Sequence, residues 1–148
     1  MTMPHLLPAP FPAPLAASLY VALGGALGSV LRYQAGRAMA HWIGIGPATA
    51  FPWATLGVNV IGSLAMGLLV GWLARHGESG GLAGSDNLRL MLGVGLLGGF
   101  TTFSAFSMEL VLLAERGALG LAAAYAGFSV IAGVTATVLG LLIMRASA

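Results

Sequence analysis

The chain has 148 residues, of which 58% are hydrophobic and only 7% are charged. An ordinary soluble domain carries about 25% charged residues, so this composition excludes such a domain and indicates an integral membrane protein. The net charge is +2 and the chain has no run of basic residues, so nucleic acid is not an expected partner. The chain has no cysteine, which excludes disulfide and thiolate chemistry but leaves the redox compartment undetermined.

The N-terminal segment, residues 1–14, is rich in proline. It contains five of the seven prolines of the chain, and proline at this density prevents a helix. We predict an extended or disordered leader, which lacks the positive region of a secretory signal. Residues 15–148 then form a single transmembrane domain.

Four apolar segments follow the leader, and each is long enough to cross a bilayer, which takes about 20 helical residues. They lie at residues 15–39, 53–74, 88–114 and 118–144. Glycines recur at spacing four in the first two segments, at Gly24 and Gly28 and at Gly67 and Gly71, which predicts faces where helices approach closely. The sequence therefore predicts an all-α integral membrane protein with four transmembrane helices.

The connections between these spans are too short to hold a soluble active site. Residues 44–52 are predicted to be a loop because they contain Pro47 and Pro52, and residues 75–86 form a polar loop rich in glycine. Residues 115–117 alone separate the last two spans. Any function beyond a structural one must therefore reside inside the helices.

The arginines predict how the chain sits in the membrane, because positive charges in short loops set orientation. One end of the bundle carries Arg75, Arg89 and Arg145. The opposite end carries Arg116, together with Arg32 and Arg37 in the last turns of the first span. Three arginines at each end give no preference for one orientation in the membrane. We therefore predict that the chain inserts in both orientations and pairs as an antiparallel homodimer.

The third span contains a stretch that disfavours a continuous helix. Gly98 and Gly99 are followed closely by Thr101 and Thr102, which are also weak helix formers. We predict that the third helix is broken here. Lipid cannot satisfy the carbonyls that such a break would free, so they must face protein, water or an ion.

Several uncharged side chains near this stretch could face a small anion. Phe103 and Phe106 follow the break on one face of the helix that restarts there, and aromatic ring edges carry partial positive charge. Asn59 offers an amide N–H at membrane depth, and Tyr125 and Ser129 offer hydroxyls one turn apart. Neutral donors suit a strongly hydrated anion because they replace water without trapping the ion.

Each of these residues also has a purely structural interpretation. The phenylalanine rings could simply pack against a neighbouring helix, and Asn59 or Tyr125 could bond between helices. Arg32 is a charge placed among lipid, so it needs either a path to the interface or a water-filled vestibule that attracts anions.

Two other patterns carry little functional weight. Residues 93–98 match G-x-G-x-x-G, but they lie in a membrane span without the preceding strand and the distant acidic residue of a dinucleotide site. These glycines are better interpreted as close-packing positions. His5, His41 and His76 are scattered among a tail and two loops without the spacing of metal ligands. We expect no enzymatic activity.

Three segments together resemble the CrcB/Fluc fluoride channels. They are GGALGSVLRY at residues 24–33, TLGVNVIG at residues 55–62 and GGFTTFSAFSME at residues 98–109. The resemblance covers all four spans and excludes the leader. It implies an antiparallel, dual-topology homodimer in the cell membrane, with two fluoride pathways and a structural Na⁺ at its centre. The Na⁺ would be held by backbone carbonyls of Gly98 and Thr101 from both copies.

The resemblance also implies roles for individual side chains along the fluoride pathway. Phe103 and Phe106 would line the pore, Asn59 would be its amide, and Arg32 would sit at the vestibule. The polar track and its surroundings would comprise Tyr125, Ser129, Thr55 and Thr102, with Glu109 at the far end. The sequence departs from the family pattern at two positions. Some relatives have a serine at the position of Gly133, so that hydroxyl is missing here, and the nearest one on the same face is Thr137, one turn further on. Phe100 is bulkier than the aliphatic residue expected at its position.

The function that these expectations indicate is passive efflux of fluoride, which lowers its cytoplasmic concentration. An inside-negative potential favours anion exit by about 2.3 kcal/mol per charge per 100 mV. The alternative is a dual-topology, proton-coupled exporter of small cationic drugs, which needs a membrane-embedded carboxylate; the first span has none. A third possibility, a structural assembly protein, would predict no flux.

Overall fold

The computed structural model describes residues 14–76 and 86–146. Within these ranges the chain has four helices that are long and apolar enough to cross a membrane, which confirms the all-helical prediction. The predicted leader lies outside the described residues except for Pro14, which begins the first helix. Proline is favoured there because the first N–H groups of a helix have no intrahelical partner.

Seven helical elements make up the described ranges. In chain order they are α1 (Pro14–Ile43), α2 (Ile45–Ala50), α3 (Trp53–His76), α4 (Arg89–Leu97), α5 (Gly98–Phe100), α6 (Phe103–Glu115) and α7 (Leu119–Ala146). The third span, Asp86–Glu115, includes α4, α5 and α6. Within it, α4 is wound as a π-helix, a geometry that is rare over nine residues.

The connection between the first two spans differs from the sequence prediction. We predicted a loop over residues 44–52, but α2 occupies six of these residues. Gly44, with φ of 84°, ends α1, and Pro47 lies in the first turn of α2, where its missing N–H costs no hydrogen bond. Phe51 is extended, the conformation favoured before a proline such as Pro52, so α2 ends there.

The first span is also longer than predicted, and this changes the position of Arg32. We placed Arg32 in the last turns of the span, but α1 continues to Ile43. At 1.5 Å per residue, Arg32 therefore lies about 16 Å inside the end of α1. The hydropathy pattern ended too early because residues 39–43 include a histidine and a tryptophan.

Glycines bring the spans together in two pairs. A methyl group on Gly24 or Gly28 of α1 would collide with the main chain of the third span, and Gly95 packs against Gly24 in return. A methyl group on Gly67 of α3 would collide with the main chain of α7 in the same way. Packing of α1 on α4 and α5, and of α3 on α7, therefore relies on backbone contact, as predicted for small-residue faces.

Few side chains are buried among the described residues, and the main cluster of them surrounds one tyrosine. Tyr125 has no exposed surface, and it packs with Leu56, Leu113 and Ala122. Most other large apolar side chains point outward. This distribution suits a chain whose outer surface contacts lipid or another protein.

Candidate functional site

The backbone between α5 and α6 is extended at two consecutive residues. Thr101 has φ and ψ of −80° and 159°, and Thr102 has values of −153° and 124°. The hydroxyl of Thr102 accepts a hydrogen bond from the N–H of Ala105 at 3.2 Å, so Thr102 is the N-cap of α6. A threonine at this position both tolerates extended backbone and starts the next helix.

The amide side chain of Asn59, on α3, holds the extended backbone of Thr102 at both polar groups. Its Nδ2 donates to the Thr102 carbonyl at 3.1 Å, and its Oδ1 accepts from the Thr102 N–H at 2.8 Å. One N–H of the amide remains for another acceptor, since a primary amide has two. Asn59 therefore hydrogen-bonds both backbone polar groups of Thr102, and it also lines a neighbouring cavity.

Two carbonyls lose their usual helical partners to these side chains. In a continuous α-helix the Gly98 carbonyl accepts from Thr102 N–H, and the Thr101 carbonyl accepts from Ala105 N–H. Here Thr102 N–H donates to Asn59, and Ala105 N–H donates to the Thr102 hydroxyl. The carbonyls of Gly98 and Thr101 therefore lack the N–H partners that a continuous α-helix would give them.

Arg32 contacts the carbonyl that lies between these two. Its Nε donates to the carbonyl of Gly99 at 3.2 Å, and the side chain is partly buried. A cation in a membrane span needs such a partner or a path to water. The structure places Arg32 against the third span, two residues before the extended backbone begins.

A cavity of about 360 Å³ opens beside the extended residues, between α3, α6 and α7. Its polar lining includes Asn59, Ser63, Thr101, Thr102, Ser129 and Thr137, and its aromatic lining is Phe103 and Phe106. No charged residue lines it within the described ranges. The cavity therefore offers uncharged groups to a small ligand.

The two phenylalanines stand at different depths in this cavity. Their ring centroids are 5.7 Å apart, but Phe103 is 79% exposed while Phe106 is partly buried. The ring of Phe106 lies 5.1 Å from that of Tyr125. The rings thus form a continuous series from the open side of the cavity to the buried core.

Glu109 lies beyond these rings and accepts hydrogen bonds at both oxygens. Thr55 Oγ1 donates to Oε1 at 2.6 Å, and the hydroxyl of Tyr125 donates to Oε2 at 2.7 Å. These contacts join α3, α6 and α7 at one carboxylate. The structure thereby brings together Thr55, Tyr125 and Glu109, which lie far apart in the sequence.

The hydroxyls on the fourth span differ in what they bond. The Oγ of Ser129 is buried and has no hydrogen-bond partner, so it is available to a ligand in the cavity. The single hydroxyl proton of Thr137 is shared between the carbonyls of Ser63 and Gly133, and its Oγ1 can still accept a bond. Ser63 and Thr137 belong to the cavity although the sequence did not place them among the pathway residues; their regular spacing on α3 and α7 was the available signal.

The chain is similar to one protein family along most of its length. The family profile described as "CrcB-like protein, Camphor Resistance (CrcB)" matches residues 19–141. The chain belongs to the CrcB family. Members of this family that resemble it include "Fluoride-specific ion channel FluC" of Novosphingobium aromaticivorans, which is 61% identical over 117 residues covering 79% of this chain and 86% of that protein.

Two further CrcB relatives have the same description. "Fluoride-specific ion channel FluC" of Erythrobacter litoralis is 51% identical over 79% of this chain and 83% of that protein. The protein so described in Rhodospirillum centenum is 48% identical over 79% of this chain and 86% of that protein. The residues matched by the family profile, 19–141, include all the spans that build the cavity.

Proposed function

We propose that this chain is a fluoride-selective channel that lets fluoride leave the cytoplasm passively. The observation that carries the proposal is the cavity of uncharged donors in a chain so similar to proteins described as fluoride-specific channels. Asn59 and the unpartnered hydroxyl of Ser129 can replace water around a fluoride ion, while the ring edges of Phe103 and Phe106 contact it without a full counter-charge.

This proposal accounts for the site better than proton-coupled drug export does. An exporter of cations needs a carboxylate that exposes itself to the substrate. Here both oxygens of Glu109 are occupied by hydroxyl donors, and the cavity has no charged lining in the described ranges. Transport of an anion through a passive path requires neither a proton relay nor a nucleotide.

We propose further that the active form is an antiparallel homodimer of chains inserted in both orientations, in the cell membrane. Arginines divide nearly evenly, with three at one end, two at the other and Arg32 inside α1, and Phe103 is exposed where it lines the cavity. A second copy would cover this polar opening, which lipid cannot satisfy. Cysteine accessibility supports the proposal if engineered thiols in one connection react from both sides, and contradicts it if they react from one side only.

The third span is proposed to act as a broken helix that holds a structural Na⁺ between the two copies. Na⁺ is a hard cation that prefers oxygen ligands, as the helix-released carbonyls of Gly98 and Thr101 are, and two copies would supply four of them. The ion would hold the dimer together and supply no chemistry. If the proposal is correct, replacing Na⁺ by a large organic cation lowers the dimer's melting temperature; an unchanged melting temperature contradicts it.

The test of channel function is efflux from liposomes that contain the purified protein. Liposomes loaded with fluoride or with chloride are diluted into a medium without that anion, and a valinomycin-mediated potassium current balances the charge. An ion electrode should record release of fluoride but not chloride, without a proton gradient. Absence of fluoride release, or release that requires a proton gradient, overturns the proposal.

A further inference from the structure

We propose that a second cavity, between α2 and the end of α6, is a mouth of the anion pathway, and that Arg116 draws fluoride into it. The cavity has a volume of about 230 Å³. Its lining on the α2 side is Ala48, Thr49, Ala50 and Pro52, and on the α6 side it is Glu109, Leu112, Leu113 and Arg116. This inference rests on the proposed fluoride channel and gives that channel an opening at the membrane surface.

Two packed side chains, Glu109 and Tyr125, lie between the second cavity and the first. Glu109 lines the second cavity, and its Oε2 accepts a hydrogen bond from Tyr125. The Tyr125 ring contacts Phe106, which lines the first cavity. Glu109 therefore stands between the two cavities, and an ion that passes along the aromatic rings reaches the second cavity on the far side of this carboxylate.

Arg116 is held at the outer rim of the second cavity by the way α6 ends. Gly117 has φ of 76°, its N–H donates to the Ala114 carbonyl at 2.9 Å, and the Ala118 N–H donates to the Leu113 carbonyl at 3.0 Å. These two bonds form a Schellman motif, in which Arg116 is the C-cap residue. The guanidinium therefore starts from a fixed backbone position at the surface.

The side chain of Arg116 reaches across the cavity to α2. Its Nη1 donates to the carbonyl of Thr49 at 3.2 Å. This bond uses one of the five N–H groups of a guanidinium. The side chain is exposed, so its other donors can meet an anion that arrives from water.

The charges in this cavity explain why an arginine is needed there. A carboxylate at the inner wall repels an approaching anion, and without a cation the mouth would carry a net negative charge. Arg116 offsets Glu109, so the pair is neutral overall and can attract an anion at the rim without trapping it. The positive charge at the rim meets an arriving anion first and raises its local concentration there, and salt screens this effect.

The experiment exploits the absence of cysteine from the chain. Arg116→Cys gives a single thiol that a methanethiosulfonate reagent can convert into a cationic or an anionic side chain. Fluoride efflux is measured from liposomes at about 10 mM salt, where the Debye length is about 30 Å, and at about 1 M, where it is about 3 Å. Arg37→Cys, on the same end of the bundle but outside the cavity lining, is the matched control.

We expect Arg116→Cys to lower the efflux rate about threefold to tenfold at low salt, with a much smaller loss at high salt. The cationic reagent should restore the rate, and the anionic reagent should lower it further. Arg37→Cys should change the rate by less than about twofold under every condition. Recovery with the cationic reagent also shows that the variant is folded.

A purely structural role for Arg116 gives a different result. If the arginine only ties α2 to α6, the rate falls equally at both salt concentrations and the charge of the reagent does not matter, which overturns the inference. An equal loss in Arg37→Cys overturns it as well, because the effect would then belong to the whole surface. If the protein without substitutions releases no fluoride, the proposed channel function is refuted. If that protein releases fluoride and Arg116→Cys releases it equally fast, only the proposed role of Arg116 at the second cavity is refuted.

Discussion

Asn59 and Thr102 are 43 residues apart in the chain, yet the side chain of one makes two hydrogen bonds to the main chain of the other. The amide thus takes the place of the helical partners that extended backbone cannot have. Because the same amide lines the first cavity, the shape of that cavity and the conformation of Thr102 both depend on one side chain.

Asn59→Leu, which removes both bonds but keeps the number of side-chain heavy atoms, should abolish fluoride efflux and lower the stability of the protein. Leaving the buried N–H and carbonyl of Thr102 without partners costs about 1–3 kcal/mol for each group. Thermal unfolding in detergent measures the loss. Gly57→Ala, a change on the same helix at a site with nothing within 4 Å of the added carbon, is the control. Unchanged melting would show that Thr102 does not need the amide.

Phe103→Ile and Phe106→Ile should each reduce fluoride efflux while leaving the dimer assembled. Isoleucine keeps an apolar side chain but removes the ring edge that we propose contacts the anion. Size-exclusion chromatography and liposome efflux measure the two properties. Phe128→Ile is the matched control, because Phe128 is 60% exposed on α7 and does not line either cavity. Normal efflux in both ring variants would mean that these rings only pack.

Tyr125→Phe should slow efflux and destabilise the protein by about 1–3 kcal/mol, because Oε2 of Glu109 would lose its donor. The ring contacts with Phe51 and Phe106 would persist, so the effect isolates the hydroxyl. Efflux and melting temperature are measured together. The control is Tyr33→Phe, since Tyr33 is exposed on α1. Equal effects of the two substitutions would contradict a special role for this hydroxyl.

Gly28→Ala should prevent normal packing of α1 on the third span, whereas Gly36→Ala should not. The added methyl group at Gly28 would meet the carbonyl of Leu96 and the N–H of Phe100, both of which are backbone atoms that cannot rotate away. Gly36 has nothing within 4 Å, and alanine there should stabilise the helix by about 0.5–1 kcal/mol. The yield of folded protein and its melting temperature distinguish the two. Similar behaviour of both variants would argue against backbone contact.

Much of the fold could be predicted from the sequence because the bilayer imposes a simple rule on hydropathy and length. The four spans are confirmed, and so is the packing role of Gly24 and Gly28. The short helix α2 was missed because the two prolines in this segment were interpreted as a loop signal. Proline alone does not show whether it lies in the first turn of a helix or ends the helix. The true end of α1 was missed because the residues after 39 are less apolar.

The site was less predictable, because it depends on contacts across the bundle. Composition marked Thr101 and Thr102 as weak helix formers, but no local pattern indicates that Asn59 pairs with Thr102 or that Arg32 reaches Gly99. The π-winding of α4 has no recognised sequence signature either. The roles of the individual pathway residues and of Na⁺ stay predictions until flux and binding are measured.

The spans differ in length, and this has a consequence for the membrane in which the protein works. At 1.5 Å per residue, the 30 residues of α1 reach about 45 Å and the 24 residues of α3 about 36 Å, against a hydrocarbon core of about 30 Å. Tilt absorbs such a mismatch, and because the glycine contacts hold neighbouring helices together, one helix cannot tilt without moving the next. We therefore predict that lipids with longer or shorter acyl chains alter the width of the first cavity, so that the rate of fluoride efflux varies with bilayer thickness.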